Sequence, residues 1–145
     1  MKTLIIYKSY HHMNTEKVAK AMAKAMNARL AKVEDIQLEE LAGYDIIGFG
    51  SGIYGYKHHN NLLKLIEKMP VTDKKVFVFS TTGNFRDRNH KLIKEKLANK
   101  ECTVVGEFSC LGEFGFFGIS LKNKGHPDEK DLENARTFAE GLLNV

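Results

Sequence analysis

No stretch of the chain approaches the roughly 20 apolar residues that a helix needs to cross a bilayer, so a helical membrane protein is excluded. The run Met1 to Lys8 is a short apolar segment that turns polar, which reads as an opening strand and not as a signal peptide. A soluble, cytoplasmic protein is the expectation. Cysteine is scarce as well. Cys102 and Cys110 alone give neither a disulfide framework nor metal-ligand spacing, and they read as free thiols in or beside a buried strand. Charge of one sign is also lacking, since 22 Lys and Arg against 18 Asp and Glu leave only +4. The surplus leans towards Arg86 to Lys100 and Lys122 to Lys130, on helical stretches without the interleaved aromatics of a single-strand nucleic-acid binder.

Several active-site signatures are missing too. There is no G-x-G-x-x-G for a dinucleotide and no G-x-x-x-x-G-K-[ST] for a triphosphate. A receiver domain would need acidic residues after its first strand, where Lys8-Ser9-Tyr10 stands, and an Asp after its third, where Gly50-Ser51-Gly52 stands. Ser51 lies among glycines, but a nucleophile elbow needs Gly at the positions held by Phe49 and Ile53. The adjacent pairs His11-His12 and His58-His59 have no Cys, Asp or Glu at ligand spacing, so polar loop contacts are expected of them and no metal.

What is present is an alternation of strands and helices over one expected domain, residues 1–145, with 43% hydrophobic and 28% charged residues. Thr3 to Lys8 is a strand apolar enough to be buried on both faces. Val18, Ala19, Met22, Ala25 and Met26 then fall on one helical stripe, which Asn27 can close. Further strands are expected at Ala28 to Val33, Asp45 to Gly50, Lys75 to Ser80 and Thr103 to Phe108. Leu62, Leu63, Ile66 and Met69 mark a helix that stops at Pro70, and Leu92, Ile93 and Leu97 mark another. Asp128, Glu129 and Asp131 after Pro127 form the acidic first turn of a last helix, striped by Leu132, Ala135, Phe138, Ala139 and Leu142. Such a pattern predicts an open five-stranded parallel sheet, order 2-1-3-4-5, with helices on both faces. Ligands of such sheets bind outside the carboxyl ends of the strands.

Those strand ends carry the candidate site. Ser9, Asn14 and Thr15 place hydroxyls and an amide around a helix amino end, where free N–H groups and the dipole suit a phosphate. The alternative is that Asn14 or Thr15 only caps the helix. Gly48 to His59 is rich in glycine, which lets backbone approach a flat ligand, and Tyr54 or Tyr56 can stack on one. Ser80 to Phe85 offers polar groups to the edge of a heterocycle, or forms an ordinary turn. Phe114, Phe116 and Phe117 pack over a ligand, onto a partner or into the fold.

The order and contents of these loops resemble the flavodoxin family over essentially the whole chain. Ser9 and Asn14-Thr15 match the ends of that family's S/T-x-T-G-N-T phosphate loop, while Tyr10-His11-His12-Met13 replaces its middle and adds one residue. Ser51-Gly52-Ile53-Tyr54-Gly55 is similar to the loop along the isoalloxazine ring, and Thr81-Thr82-Gly83 to the loop on its pyrimidine side. The resemblance implies flavin mononucleotide (FMN), held by those fifteen residues, and one-electron transfer with redox partner proteins. It implies no acid–base catalytic residue. Electron-shuttling flavodoxins are commonly strongly acidic, whereas this chain is mildly basic, with Lys57 and His58 expected near the flavin edge. Two alternatives stand beside the carrier: an FMN-dependent NAD(P)H reductase of quinones or similar acceptors, and a flavin-free interaction domain.

Overall fold

The computed structural model describes residues 1–9, 13–116 and 119–145, with the backbone alone for 114–116 and 119–121. Strands β1 (Thr3–Lys8), β2 (Arg29–Lys32), β3 (Ile46–Gly52), β4 (Lys75–Thr82) and β5 (Thr103–Leu111) form one parallel sheet in the order β2-β1-β3-β4-β5. Helices α1 (Asn14–Met26), α2 (Asn60–Lys68), α3 (Lys91–Asn99) and α4 (Glu129–Leu142) connect and flank them. The expected sheet is the observed one.

Side-chain alternation sorts the strands onto two apolar layers. Leu4, Ile6, Ile47, Phe49, Val76 and Val78 meet α2 and α3 through Leu62, Ile66, Met69, Ile93 and Leu97, all at most 2% exposed. On the opposite face Ile5, Phe77 and Phe79 meet α1 and α4 through Val18, Ala19, Met22, Ala135 and Ala139. Each large side chain so buried contributes about 1.5–3 kcal/mol. The Gly48 and Gly50 positions belong to this packing and not to a ligand. A Cβ on Gly48 would lie 2.2 Å from Phe77 Cζ, and one on Gly50 2.2 Å from Phe79 Cε2, so these glycines seat the rings of the neighbouring strand.

Local signals end the helices as expected. Asn27 closes α1 in the left-handed region at φ 51°, its N–H turned back to the last turn. Asp128 caps α4, its carboxylate accepting from Asp131 N–H at 2.9 Å while Asp131 accepts from Asp128 N–H at 2.9 Å. Two observed features were not expected. β3, β4 and β5 run on to Gly52, Thr82 and Leu111, and an antiparallel pair β6 (Phe114–Phe116) and β7 (Ile119–Lys122) follows β5. Phe117 lies outside the described residues.

Candidate functional site at the carboxyl ends of the strands

β1 delivers the chain to Ser9, and α1 starts at Asn14 after Met13, which sits exposed in the left-handed region at φ 55° without a side-chain cap. Neither Asn14 nor Thr15 caps the helix. Ser9 does part of that work, its Oγ accepting from Glu16 N–H at 3.1 Å. Among the described residues the N–H groups of Asn14 and Thr15, at the first two helical positions, have no partner. These are the donors an anion needs at a helix amino end, reinforced by the positive pole of the dipole. Tyr10, His11 and His12 lie outside the described residues.

Asn14 and Thr15 are both buried and tied to other strand ends. Asn14 Nδ2 donates to the Glu113 carbonyl at 2.8 Å, and Thr15 Oγ1 lies 2.8 Å from Thr81 Oγ1. Together with Gly52, Ile53, Tyr54, Thr82, Gly83 and Gly112 they line a depression of about 130 Å³. A second cleft of about 450 Å³ shares Ile53, Thr82 and Gly83 with it, and adds Gly55, Tyr56, Arg86 and Lys122. So residues from four separate strand ends, about 40, 70 and 100 positions from Asn14 in sequence, meet at one place. Ser51 is not on that surface. It is fully buried, accepting from His59 N–H at 3.0 Å and donating to the Gly52 carbonyl at 2.6 Å.

The β3–α2 loop is built as a tight reversal. An antiparallel bridge joins Ile53 to His58, Tyr54 N–H donates to the Lys57 carbonyl at 2.7 Å, and Gly55 and Tyr56 take φ of 59° and 64° at the tip. Gly suits that conformation and Tyr does not; the Arg88 guanidinium stacked 3.7 Å over the Tyr56 ring holds it there. His58 corrects the sequence expectation. It is not at an exposed edge but wholly buried, with Nε2 2.9 Å from the Phe79 carbonyl. Because a carbonyl only accepts, Nε2 carries the proton, and the buried Nδ1 lone pair is left without a partner. Burial, helped by nearby His90, lowers its pKa to about 3. His59, by contrast, caps α2 through its Nδ1, which accepts from Asn61 N–H at 3.0 Å.

Gly112 and Glu113 were not among the candidates. The only hint in the sequence was their place after the fifth strand. A Cβ on Gly112 would come within 2.8 Å of Asn14 Nδ2, so glycine there lets β5 close against α1. Both cysteines are free and buried, and burial pushes the Cys110 thiol up to about 12. His126, Asp128 and Asp131 bring ligand-type atoms within 4.8 Å of one another, but these atoms already form the α4 cap and a 2.7 Å His126–Asp131 contact.

Sheet order and ligand-facing loops define a flavodoxin-like α/β domain. The family described as Flavodoxin domain matches residues 4–113, and the chain belongs to that family. An uncharacterized protein of Methanocaldococcus jannaschii is 43% identical over 148 residues, covering 99% of both chains. Among solved structures, oxidised flavodoxin 2 from Bacillus cereus superposes with a TM-score of 0.75 at 23% identity over 99% of each chain. Rubredoxin oxygen:oxidoreductase from Desulfovibrio gigas gives 0.74 at 18% identity, covering 99% of this chain and 35% of that one. No helix among the described residues is long and apolar enough to cross a membrane.

Proposed function

We propose that this chain binds FMN at the carboxyl ends of β1, β3 and β4 and works as a one-electron carrier between redox proteins. The observation that carries the reading is the convergence of Asn14 and Thr15 with Gly52–Tyr54 and Thr81–Gly83 around one depression. The residues fit the group: two helix-end N–H donors face no partner among the described residues. Asn14 and Thr15 hold the phosphate, with Ser9 securing the turn above them. Gly52, Ile53 and Tyr54 flank the ring, and Thr81, Thr82 and Gly83 meet its polar edge. Bound FMN supplies the redox centre, and the protein positions it, screens it from water and tunes its potential.

Adding FMN to the purified protein should give a bound flavin spectrum. Replacing Asn14 and Thr15 together by Ala keeps the two N–H donors but removes the ties to the Glu113 carbonyl and Thr81 that position them, and should weaken FMN far more than riboflavin, which has no phosphate. Equal losses for the two ligands overturn the phosphate assignment, and a protein that takes no flavin overturns the whole reading in favour of an interaction domain. A second reading, direct reduction by a nicotinamide dinucleotide, is favoured by the adjoining cleft with Arg86, Lys122 and the exposed Tyr56 ring. Steady-state turnover of NADH or NADPH without a separate reductase would select it over the carrier.

A further inference from the structure

On the α3 side of the sheet, a row of hydrogen-bonded side chains goes unused by electron transfer. His90 is buried at the end of the 3-10 turn Asp87–His90 that leads into α3. Its Nδ1 lies 3.0 Å from Glu107 Oε1, and its Nε2 lies 2.7 Å from Ser80 Oγ. Ser80 Oγ is in turn 2.9 Å from Ser109 Oγ, and Glu107 Oε2 accepts from Lys94 Nζ at 3.0 Å.

Chemistry fixes the direction of this row. An ionised carboxylate only accepts, so His90 Nδ1 carries the proton and Nε2 presents its lone pair. Ser80 must therefore donate to His90, which leaves the Ser80 oxygen to accept from Ser109. The result is a one-way path for a proton from Ser109 through Ser80 to His90, with Glu107 orienting the ring. Burial holds His90 below the ordinary imidazole range despite the pull of Glu107, so the ring is neutral near pH 7 and able to accept. Burial opposes ionisation of Glu107, but its bonds to Lys94 and His90 outweigh that and keep it a carboxylate.

The two serines differ in access. Ser80 is fully buried, while Ser109 is half-buried on the edge strand. Ser109 and His90 line a cleft of about 670 Å³, walled by Phe85 and Phe108 and carrying the exposed Arg86. The cleft thus has a relayed hydroxyl, a neutral imidazole behind it, phenylalanine walls and an exposed cation.

We propose that this cleft is a second, flavin-independent site that transfers acyl groups from small carboxylic esters onto Ser109 and then to water. Ser109 Oγ attacks the ester carbonyl; its proton passes to Ser80, and the Ser80 proton passes to His90 Nε2. The carbonyl π electrons move onto oxygen, in the field of the Arg86 guanidinium. As they return, the ester C–O bond breaks: the proton on His90 Nε2 passes back to Ser80, and the Ser80 proton passes to the departing alcohol. A water molecule repeats the sequence on the acyl-Ser109 and releases the acid, restoring both serines and His90. Ser109 and Arg86 face the substrate, whereas Ser80 relays the proton to and from the base His90, and Glu107 positions that ring.

Incubating the purified protein, with and without added FMN, with a fluorophosphonate probe and mapping the modified peptide tests the assignment. The expected label is on Ser109 in both preparations, and Ser109→Ala and His90→Gln abolish it. Hydrolysis of p-nitrophenyl acetate should exceed that of Ser109→Ala at least tenfold, the variant giving the background from surface lysines. Ser80→Ala should lower kcat and leave KM near its original value. Glu107→Gln should shift the midpoint of the pH–rate profile, which loss of packing would not do. Thermal melting checks that Ser109→Ala is folded. No label, a label elsewhere, or equal hydrolysis by the wild type and Ser109→Ala overturns the proposal. Acylation is read without electron flow, so that outcome leaves the FMN reading intact, and failure to bind FMN leaves this one intact.

Discussion

Moving from pH 7 to pH 5 should destabilise this protein through one ring, His58. In the unfolded chain that imidazole titrates at about 6.5, whereas in the folded protein burial lowers its pKa to about 3. The folded state therefore binds fewer protons between those values. Stability is fully present above 6.5 and is lost as pH falls towards 3. At pH 5 the unfolded ring is almost wholly protonated and the folded ring is not. The difference between pH 7 and pH 5 is then roughly 1.5 logarithmic units at 1.36 kcal/mol each, or about 2 kcal/mol. No rearrangement of partners offsets this, since Nε2 already serves the Phe79 carbonyl at 2.9 Å and Nδ1 is buried without an acceptor. Urea unfolding at the two pH values should show the midpoint falling by about 1 M for the wild type. His58→Gln is the matched control, because its amide nitrogen can still donate to Phe79 and does not titrate. Its midpoint should fall by much less over the same interval, whatever its stability at pH 7. If wild type and His58→Gln lose the same amount, the acid sensitivity resides elsewhere, for example in His90, whose ring centroid lies 5.0 Å away and whose pKa is also lowered by burial.

Gly48→Ala should cost about 2 kcal/mol or more by driving a methyl into the Phe77 ring, and pairing it with Phe77→Leu should recover part of that in denaturation experiments. Gly55→Val should weaken FMN binding, since a β-branched residue at φ 59° strains the loop by about 1–2 kcal/mol even though the space beside it is open; an unchanged flavin affinity would show that the tip does not bear on the ring. Electron-transfer rates with the physiological partner should fall as salt rises, because Lys57, Arg86, Arg88 and Lys122 surround the site and favour an acidic partner surface; rates that climb with salt would argue against such a partner.

Legibility in the sequence followed the range of the forces involved. Strand and helix positions were readable because burial on both faces imposes near-continuous apolar runs on β1, β3 and β4, and a 3.6-residue stripe on α1 and α4. The Asn27 cap acts within a few residues and was readable as well, while Asp128, read as part of an acidic first turn, is the residue that caps α4. Glycine was harder. Gly48 and Gly50 look the same in sequence as Gly52 and Gly55, yet the first two make room for rings on β4 and the last takes a positive φ at a turn. What separates them is the register between β3 and β4, which no local pattern encodes.

Histidine shows the same limit more sharply. His58 and His59 are neighbours in a polar loop, and nothing in their surroundings predicts that one fills the core while the other caps a helix. The Ile53–His58 bridge turns the first of them inward, a consequence of how the reversal closes and not of residue type. His90 follows the same logic. Its partners Ser80 and Glu107 lie 10 and 17 residues away on β4 and β5, and pairing of Ser80 with Ser109 across the parallel ladder aligns the row. A buried imidazole without polar partners costs several kcal/mol of desolvation, so a fold that buries two rings 5.0 Å apart must either satisfy them or keep them neutral. It keeps both neutral, with both nitrogens satisfied in His90 and Nδ1 left without a partner in His58. That difference places a base with a complete hydrogen-bond row beside an open cleft, and the half-satisfied ring of His58 out of reach of water.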